Sequence, residues 1–171
     1  KSAMGIFENI EDAMNAVYKT MACGINPVAM EFLDNLSIRA VEGKFKKGLP
    51  IDAGAILITE VDGNLNEELE YQLLKIEEKF KDNGCSDFKI AQDEDEAANL
   101  WFARRNVSQS INVYGKKKLN EDITVPRAKL PELLSRIDKV GKKYGFKIPC
   151  FGHTGDGNVH TNVMVEDLND I

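Results

Sequence analysis

The stretch "KIPCFGHTGDGNVHTNVMV", Lys147 to Val165, places apolar runs on both sides of a glycine-rich centre. "KIPCF" and "VHTNVMV" read as strands. Gly155 and Gly157 disfavour a helix across the centre. Asp156-Gly157 between two apolar runs signals a turn. Two nucleotide-binding readings fail here. A phosphate-binding P-loop needs lysine and then serine or threonine after its last glycine, and Asn158-Val159 stand there instead. A GxGxxG match begun at Gly155 meets His160 at its third position. What remains is strand, turn, strand.

Outward from this hairpin, strands alternate with helices. "AMGIF" is a short strand. Asn9 caps a helix with Glu11 and Asp12 in its first turn and Ala13, Val17 and Met21 on its apolar face; Gly24 ends it. "PVAMEFLD" (Pro27 to Asp34) is the next strand, followed by a short helix over Asn35 to Val41. "AGAILITEV" (Ala53 to Val61) is apolar enough for a central strand. A long helix then carries Leu65, Leu69, Leu73, Ile76 and Phe80, and Asn83-Gly84 stops it. "CSDFKIA" is a strand, and Asp93 with Glu96 forms a capping pair for the helix bearing "LWFARR". "GKKKL" (Gly115 to Leu119) reads as a solvated loop and "DITVP" as a strand. Pro131 starts a last helix with the stripe Leu133, Leu134, Ile137, Val140 and Tyr144, ended by Gly145. No glycine fingerprint follows the first strand. The reading is an α+β fold, ferredoxin-like, with an antiparallel or mixed sheet and helices on one face.

The chain has 171 residues, 43% of them hydrophobic, which suffices for a real core in one domain or two small ones. The net charge of −6 and the lack of a basic cluster argue against nucleic acid or an anionic membrane as partner. Cys23, Cys85 and Cys150 are far apart and form no CxxC pair, so they read as reduced thiols of an intracellular protein. No secretory signal or membrane-spanning run is visible. Lys1 starts directly in a strand, and the chain stops at "VEDLNDI" after another. These ends read as an excerpt of a longer chain.

Two features carry chemistry. The only histidines, His153 and His160, flank the glycine turn, where their side chains can converge. Convergent imidazoles suit zinc, manganese or iron; a hairpin with merely hydrogen-bonded histidines is the plainer alternative. Asp156 lies between them, but its own turn can aim it away or use it on backbone amides. A third ligand must come from elsewhere. The second feature is "LWFARRNVSQSI". At about 100° per residue, Ala97, Leu100, Trp101, Val107 and Ile111 share a stripe. Arg104 falls near its middle with Ser108 one turn on, Arg105 at its edge, and Phe102 pointing away. An arginine on an apolar face must meet an anion. That anion is either an internal carboxylate or a substrate carboxylate gripped by the guanidinium fork.

"FGHTGDGNVHTNV" resembles the signature of the FAD-linked oxidases of the glycolate oxidase D-subunit and D-lactate dehydrogenase type. "INPVAMEFLD", "LITEVDG", "LWFARR" and "EDITVPRAKLPELL" agree in order. The resemblance implies that residues 1–171 are the substrate, or cap, domain of a longer flavoprotein, built from ferredoxin-like halves. The FAD would sit mainly on a separate N-terminal domain. Substrates would be small 2-hydroxy acids, glycolate or D-lactate, oxidised by hydride transfer to flavin. The resemblance assigns His153 and His160 to a divalent metal, and Arg104 and Asn162 to the substrate. It puts the third ligand, a glutamate, and the histidine base beyond Ile171, so no catalytic base falls within these residues. Asn120 departs from 2-hydroxyglutarate-type members that carry lysine there, against a substrate with a second carboxylate. The implied partner is an iron-sulfur or other electron-transfer subunit. The implied location is cytoplasmic, peripheral to the inner membrane face through such subunits. The competing classes are a non-catalytic ferredoxin-like module binding a metal or small acid, and a phenol oxidase of the same superfamily, which needs no paired histidines beside a carboxylate-binding arginine.

Overall fold

The computed structural model describes residues 1–167 and 169. Among these residues, seven strands and five α-helices follow in the order β1 (Ser2–Phe7), α1 (Ile10–Ala22), β2 (Ala29–Asp34), α2 (Asn35–Phe45), β3 (Ala55–Glu60), α3 (Asn66–Asp82), β4 (Cys85–Ile90), α4 (Glu94–Ser110), β5 (Lys117–Thr124), α5 (Leu130–Tyr144), β6 (Cys150–His153) and β7 (Asn158–Val165). They form one sheet of order β4-β1-β3-β2-β6-β7-β5, and every neighbouring pair is antiparallel. The first four strands, with α1 and α3 as crossovers, have the ferredoxin-like order, and α2 is inserted between β2 and β3. The β6–β7 hairpin and β5 continue the sheet past β2.

The unbroken apolar run of β3 has a simple cause. Ala55 and Leu57 enter one core, while Ile56 and Ile58 enter the other, so both faces of the strand are buried. On the first face lie α1, α3 and α5. Here α3 seats Leu69, Leu73, Ile76 and Phe80, each contributing roughly 1.5–3 kcal/mol of apolar burial. On the second face α2 and α4 bury Ile38, Val41, Ala103 and Val107 against Leu33, Ile56 and Ile58. The α+β antiparallel architecture is the expected one. Helices cover both faces, however, because α2 and α4 also need an apolar surface to bury their stripes.

The helix starts follow the local chemistry. Asn9 Oδ1 accepts from Asp12 N at 2.9 Å, and Asp93 Oδ1 from Glu96 N at 2.8 Å. The reciprocal carboxylate, Glu96 Oε2, accepts from Gln92 N at 2.9 Å, one residue before the cap. Four readings are corrected. "GKKKL" is not a loop: from Lys117 onward it is the start of β5, paired with β7 from Lys117–Val165 to Thr124–Asn158. It is an edge strand, and lysines on an edge blunt unwanted pairing, so polarity there does not signal a loop. On α5, Val140 and Tyr144 are exposed, and the buried face runs through Leu130, Leu134 and Gly141. Phe102 does not point away from the apolar face: it is partly buried against the second core. Its ring lies 5.1 Å from that of Phe45, edge to face. α2 also reaches Phe45, four residues past its expected end.

Candidate functional site

Four strands and one helix bring the polar groups of the second face together. Glu31 stands inside β2, between Met30 and Phe32, and is buried. The β2–β6 register sets Glu31 opposite His153, and the β5–β7 register sets Asp122 opposite His160. His160 is in turn opposite Phe151. The alternation of a strand puts Phe151 and His153 on one side. α4 lies across this surface and supplies Arg104.

The turn exists because two glycines allow it. At Gly157 the backbone is left-handed, φ 80°, and a Cβ would stand 2.1 Å from the Val125 carbonyl oxygen. At Gly152 a Cβ would stand 2.4 Å from the Asn158 carbonyl oxygen. β6 and β7 can therefore close directly beneath the two histidines, whose rings lie 5.4 Å apart, centroid to centroid. Thr154, buried in the turn, donates through Oγ1 to the Met30 carbonyl at 2.8 Å and ties the turn to β2.

Each imidazole is held by a carboxylate. His153 Nδ1 bonds Glu31 Oε1. His160 Nδ1 bonds Asp122 Oδ1 at 2.6 Å. An ionised carboxylate only accepts, so both Nδ1 atoms carry the hydrogen, and in the neutral form of each ring Nε2 is left with its lone pair. The Asp122 carboxyl is held below its ordinary value by the His160 hydrogen bond first, with a smaller contribution from Asn120. Glu31 does double duty. Its Oε2 accepts from Arg104 Nε at 2.7 Å, and the guanidinium also stacks 5.2 Å from the Phe151 ring centre.

Arg104 thus meets an internal anion, the plainer of the two alternatives. That contact uses only Nε. Nη1 and Nη2 take no protein hydrogen bond among the described residues, so two of the three guanidinium nitrogens are available to a ligand. Arg105 is exposed and donates to the Ala98 carbonyl at 2.5 Å. Asp156 is exposed and accepts from Asn158 N at 3.2 Å, inside its own turn. Asn162 is fully buried; its Nδ2 donates to the carbonyls of Pro149 and His160 at 3.1 and 3.2 Å, while Oδ1 has no partner among the described residues. Asn120 lies opposite Asn162 in the β5–β7 ladder. Ser108 is exposed and accepts from Lys118 Nζ at 3.3 Å.

Sequence reasoning missed Glu31 and Asp122. The signal for Glu31 was a lone charge in an apolar strand. For Asp122 it was pairing across β5 and β7, which depends on register. Among the described residues no group of three or more histidine, cysteine or carboxylate side chains is arranged to hold a metal ion. The two carboxylates are engaged by Nδ1 atoms, so the donors on offer are two imidazole nitrogens. The three cysteines are free thiols, Cys85 and Cys150 buried away from this surface. No helix among the described residues is long and apolar enough to cross a membrane.

A ferredoxin-like sheet carrying a histidine pair, a half-engaged arginine and this glycine turn defines a class. The chain belongs to the family of FAD linked oxidases, C-terminal domain, whose model matches residues 1–170. Among its relatives, the glycolate oxidase subunit GlcD of Bacillus subtilis (strain 168) is 36% identical over 169 residues, covering 99% of this chain and 36% of the relative. GlcD of Escherichia coli (strain K12) is 33% identical over 160 residues, covering 94% and 32%. A probable mitochondrial D-lactate dehydrogenase of Danio rerio is 31% identical over 173 residues, covering 99% and 34%. The chain therefore spans about a third of these relatives. The solved structure of p-cresol methylhydroxylase shares the fold with TM-score 0.66 at 12% identity, covering 98% of this chain and 38% of that one.

Proposed function

We propose that these residues form the substrate-holding domain of an FAD-dependent dehydrogenase or oxidase of small 2-hydroxy acids, of the glycolate or D-lactate type. The observation that carries this is the histidine pair beside Arg104, in a chain whose relatives are named glycolate oxidase subunit and D-lactate dehydrogenase.

The residues present fit a divalent cation such as zinc, manganese or iron. His153 and His160 each offer Nε2 while Nδ1 is oriented by a carboxylate, the usual outer support of a metal-binding histidine. A cation there supplies a lowered pKa for a bound hydroxyl group. Asn162, assigned to the substrate rather than to the cation in this reading, has a buried side-chain oxygen without a partner among the described residues. Arg104 binds the acid's carboxylate through Nη1 and Nη2, and its Nε contact to Glu31 fixes the plane of the fork. Phe151 covers one side of the guanidinium and limits its access to water. Ionised Asp122 keeps the ring hydrogen of His160 on Nδ1. None of these groups is free to serve as base at a substrate hydroxyl. The proton acceptor in this reading is the histidine expected beyond Ile171.

FAD supplies the hydride acceptor. No dinucleotide fingerprint occurs among these residues, and the reading places the flavin on another domain of the whole protein. The name "subunit" borne by the glycolate oxidase relatives supports assembly with a further electron-carrying subunit, an iron-sulfur protein in this reading. The same reading places the protein in the cytoplasm, meeting a membrane only through such a partner.

Calorimetric titration with zinc or manganese tests the metal reading. The native protein should bind one ion, weakly with only two imidazole ligands, and His160→Ala should abolish the heat. Identical isotherms for the two proteins would overturn it.

A further inference from the structure

We infer that Glu31 is a positioning residue shared by the two halves of the site: it fixes the tautomer of His153 and the plane of Arg104 at once. The inference rests on the preceding reading of His153 as metal ligand and Arg104 as carboxylate fork. Its two oxygens divide the work, Oε1 to His153 Nδ1 and Oε2 to Arg104 Nε. The residue is buried in β2, flanked by cross-strand partners His153 and Ile58, so its side chain has one place to go. Asp122 differs. It is exposed, has no arginine beside it, and orients His160 alone apart from its contact with Asn120.

The consequence is chemical and specific. A carboxylate can accept on both sides. A glutamine of the same shape has one oxygen and one NH2. Arginine has no acceptor and stays charged, so in Glu31→Gln the oxygen must turn to Arg104. The NH2 then faces His153 Nδ1. That nitrogen can receive a hydrogen bond only if the ring hydrogen moves to Nε2, which removes the lone pair offered to a metal. In Asp122→Asn no arginine claims the oxygen, so it goes on accepting from His160 Nδ1.

With two histidines in the chain, all four ring nitrogens can be assigned by long-range proton–nitrogen NMR of the histidine-labelled protein. The measurement belongs near pH 8.5, about two units above the ordinary imidazole value. In the native protein both rings should be Nδ1–H. In Glu31→Gln, His153 should become Nε2–H while His160 stays Nδ1–H, and zinc affinity should fall about 10–100-fold. In Asp122→Asn neither ring should switch. In the double variant Glu31→Gln/Arg104→Met, the glutamine oxygen is released from its guanidinium, so His153 should return to Nδ1–H and zinc affinity should recover. A role confined to holding the strand predicts no tautomer change and no recovery. The inference is overturned if His153 is Nε2–H in the native protein, stays Nδ1–H in Glu31→Gln, or fails to return in the double variant. The native measurement decides even if Glu31→Gln does not fold. A native protein with the expected tautomers that takes up no zinc overturns the metal reading instead, and leaves the tautomer tests of Glu31 standing.

Discussion

Arg104 and Arg105 are neighbours of the same type, and the fold gives them opposite circumstances. Arg104 is mostly buried, with its Nε on Glu31 and its face on Phe151. Arg105 is in solvent and bonded to its own helix. Lysine at 104 would keep a charge but lose the planar fork. Hydrogen bonds to charged groups are worth roughly 1.5–3 kcal/mol. Arg104→Lys should therefore weaken glycolate or D-lactate binding to the metal-loaded protein by about tenfold or more, as read by calorimetry. Arg105→Lys should change it less than about twofold, because an exposed contact contributes little. Equal losses in the two variants would refute the assignment of the fork to Arg104.

Among the elements, the β6–β7 turn shows the sharpest dependence on single residues. Gly155 and Gly157 are two residues apart, yet only Gly157 has a left-handed backbone, and of the two only there would a Cβ strike a carbonyl, that of Val125 just past β5. Left-handed backbone costs a non-glycine residue roughly 1–2 kcal/mol before any clash. Gly157→Ala should lower unfolding stability in urea by about 2 kcal/mol or more. Gly155→Ala, with nothing within 4 Å of its Cβ, should stay within about 0.5 kcal/mol. A neutral Gly157→Ala would mean that the turn does not pack against Val125 as described. Helix caps and the interior strand β3 were legible beforehand because a cap needs only residues three apart and β3 announces itself by an unbroken apolar run. The length of β5 was not legible. Its lysines satisfy edge chemistry, and edge strand and loop look alike until a partner is known.

Across the whole molecule, Asp34 joins the ferredoxin-like half to the hairpin. It ends β2, caps α2 by accepting from Ser37 N at 2.8 Å, and accepts from Cys150 N at 2.7 Å at the start of β6. Burial pushes its carboxyl up to about 6, against the pull of both backbone bonds. A carboxyl raised in the folded state above its unfolded value of 3.8 favours the protonated form of the fold. Its contribution to stability is full below the unfolded value and is lost as pH rises through about 6. The exposed carboxylates Glu78 and Glu132, lowered chiefly by lysine hydrogen bonds, act with the opposite sign and at lower pH. Urea midpoints should therefore fall between about pH 4.5 and pH 6 in the native protein. Asp34→Asn, which still caps α2, should flatten that slope. A slope that survives the substitution would assign the effect to another group.

By itself the sequence determined where helices begin, that β3 lies inside the sheet with both faces covered, that the fold is α+β, and which two histidines and which arginine stand out. Those are local properties, set by spacing, capping and the limits of glycine. Tertiary structure alone decided what those residues meet. Glu31 lies 73 residues before Arg104 and 122 before His153 in the chain, and no periodicity links positions so distant. Their meeting follows from the β2–β6 register and from α4 crossing the same face. Shifting either strand by one residue would turn Glu31 or His153 to the other side of the sheet.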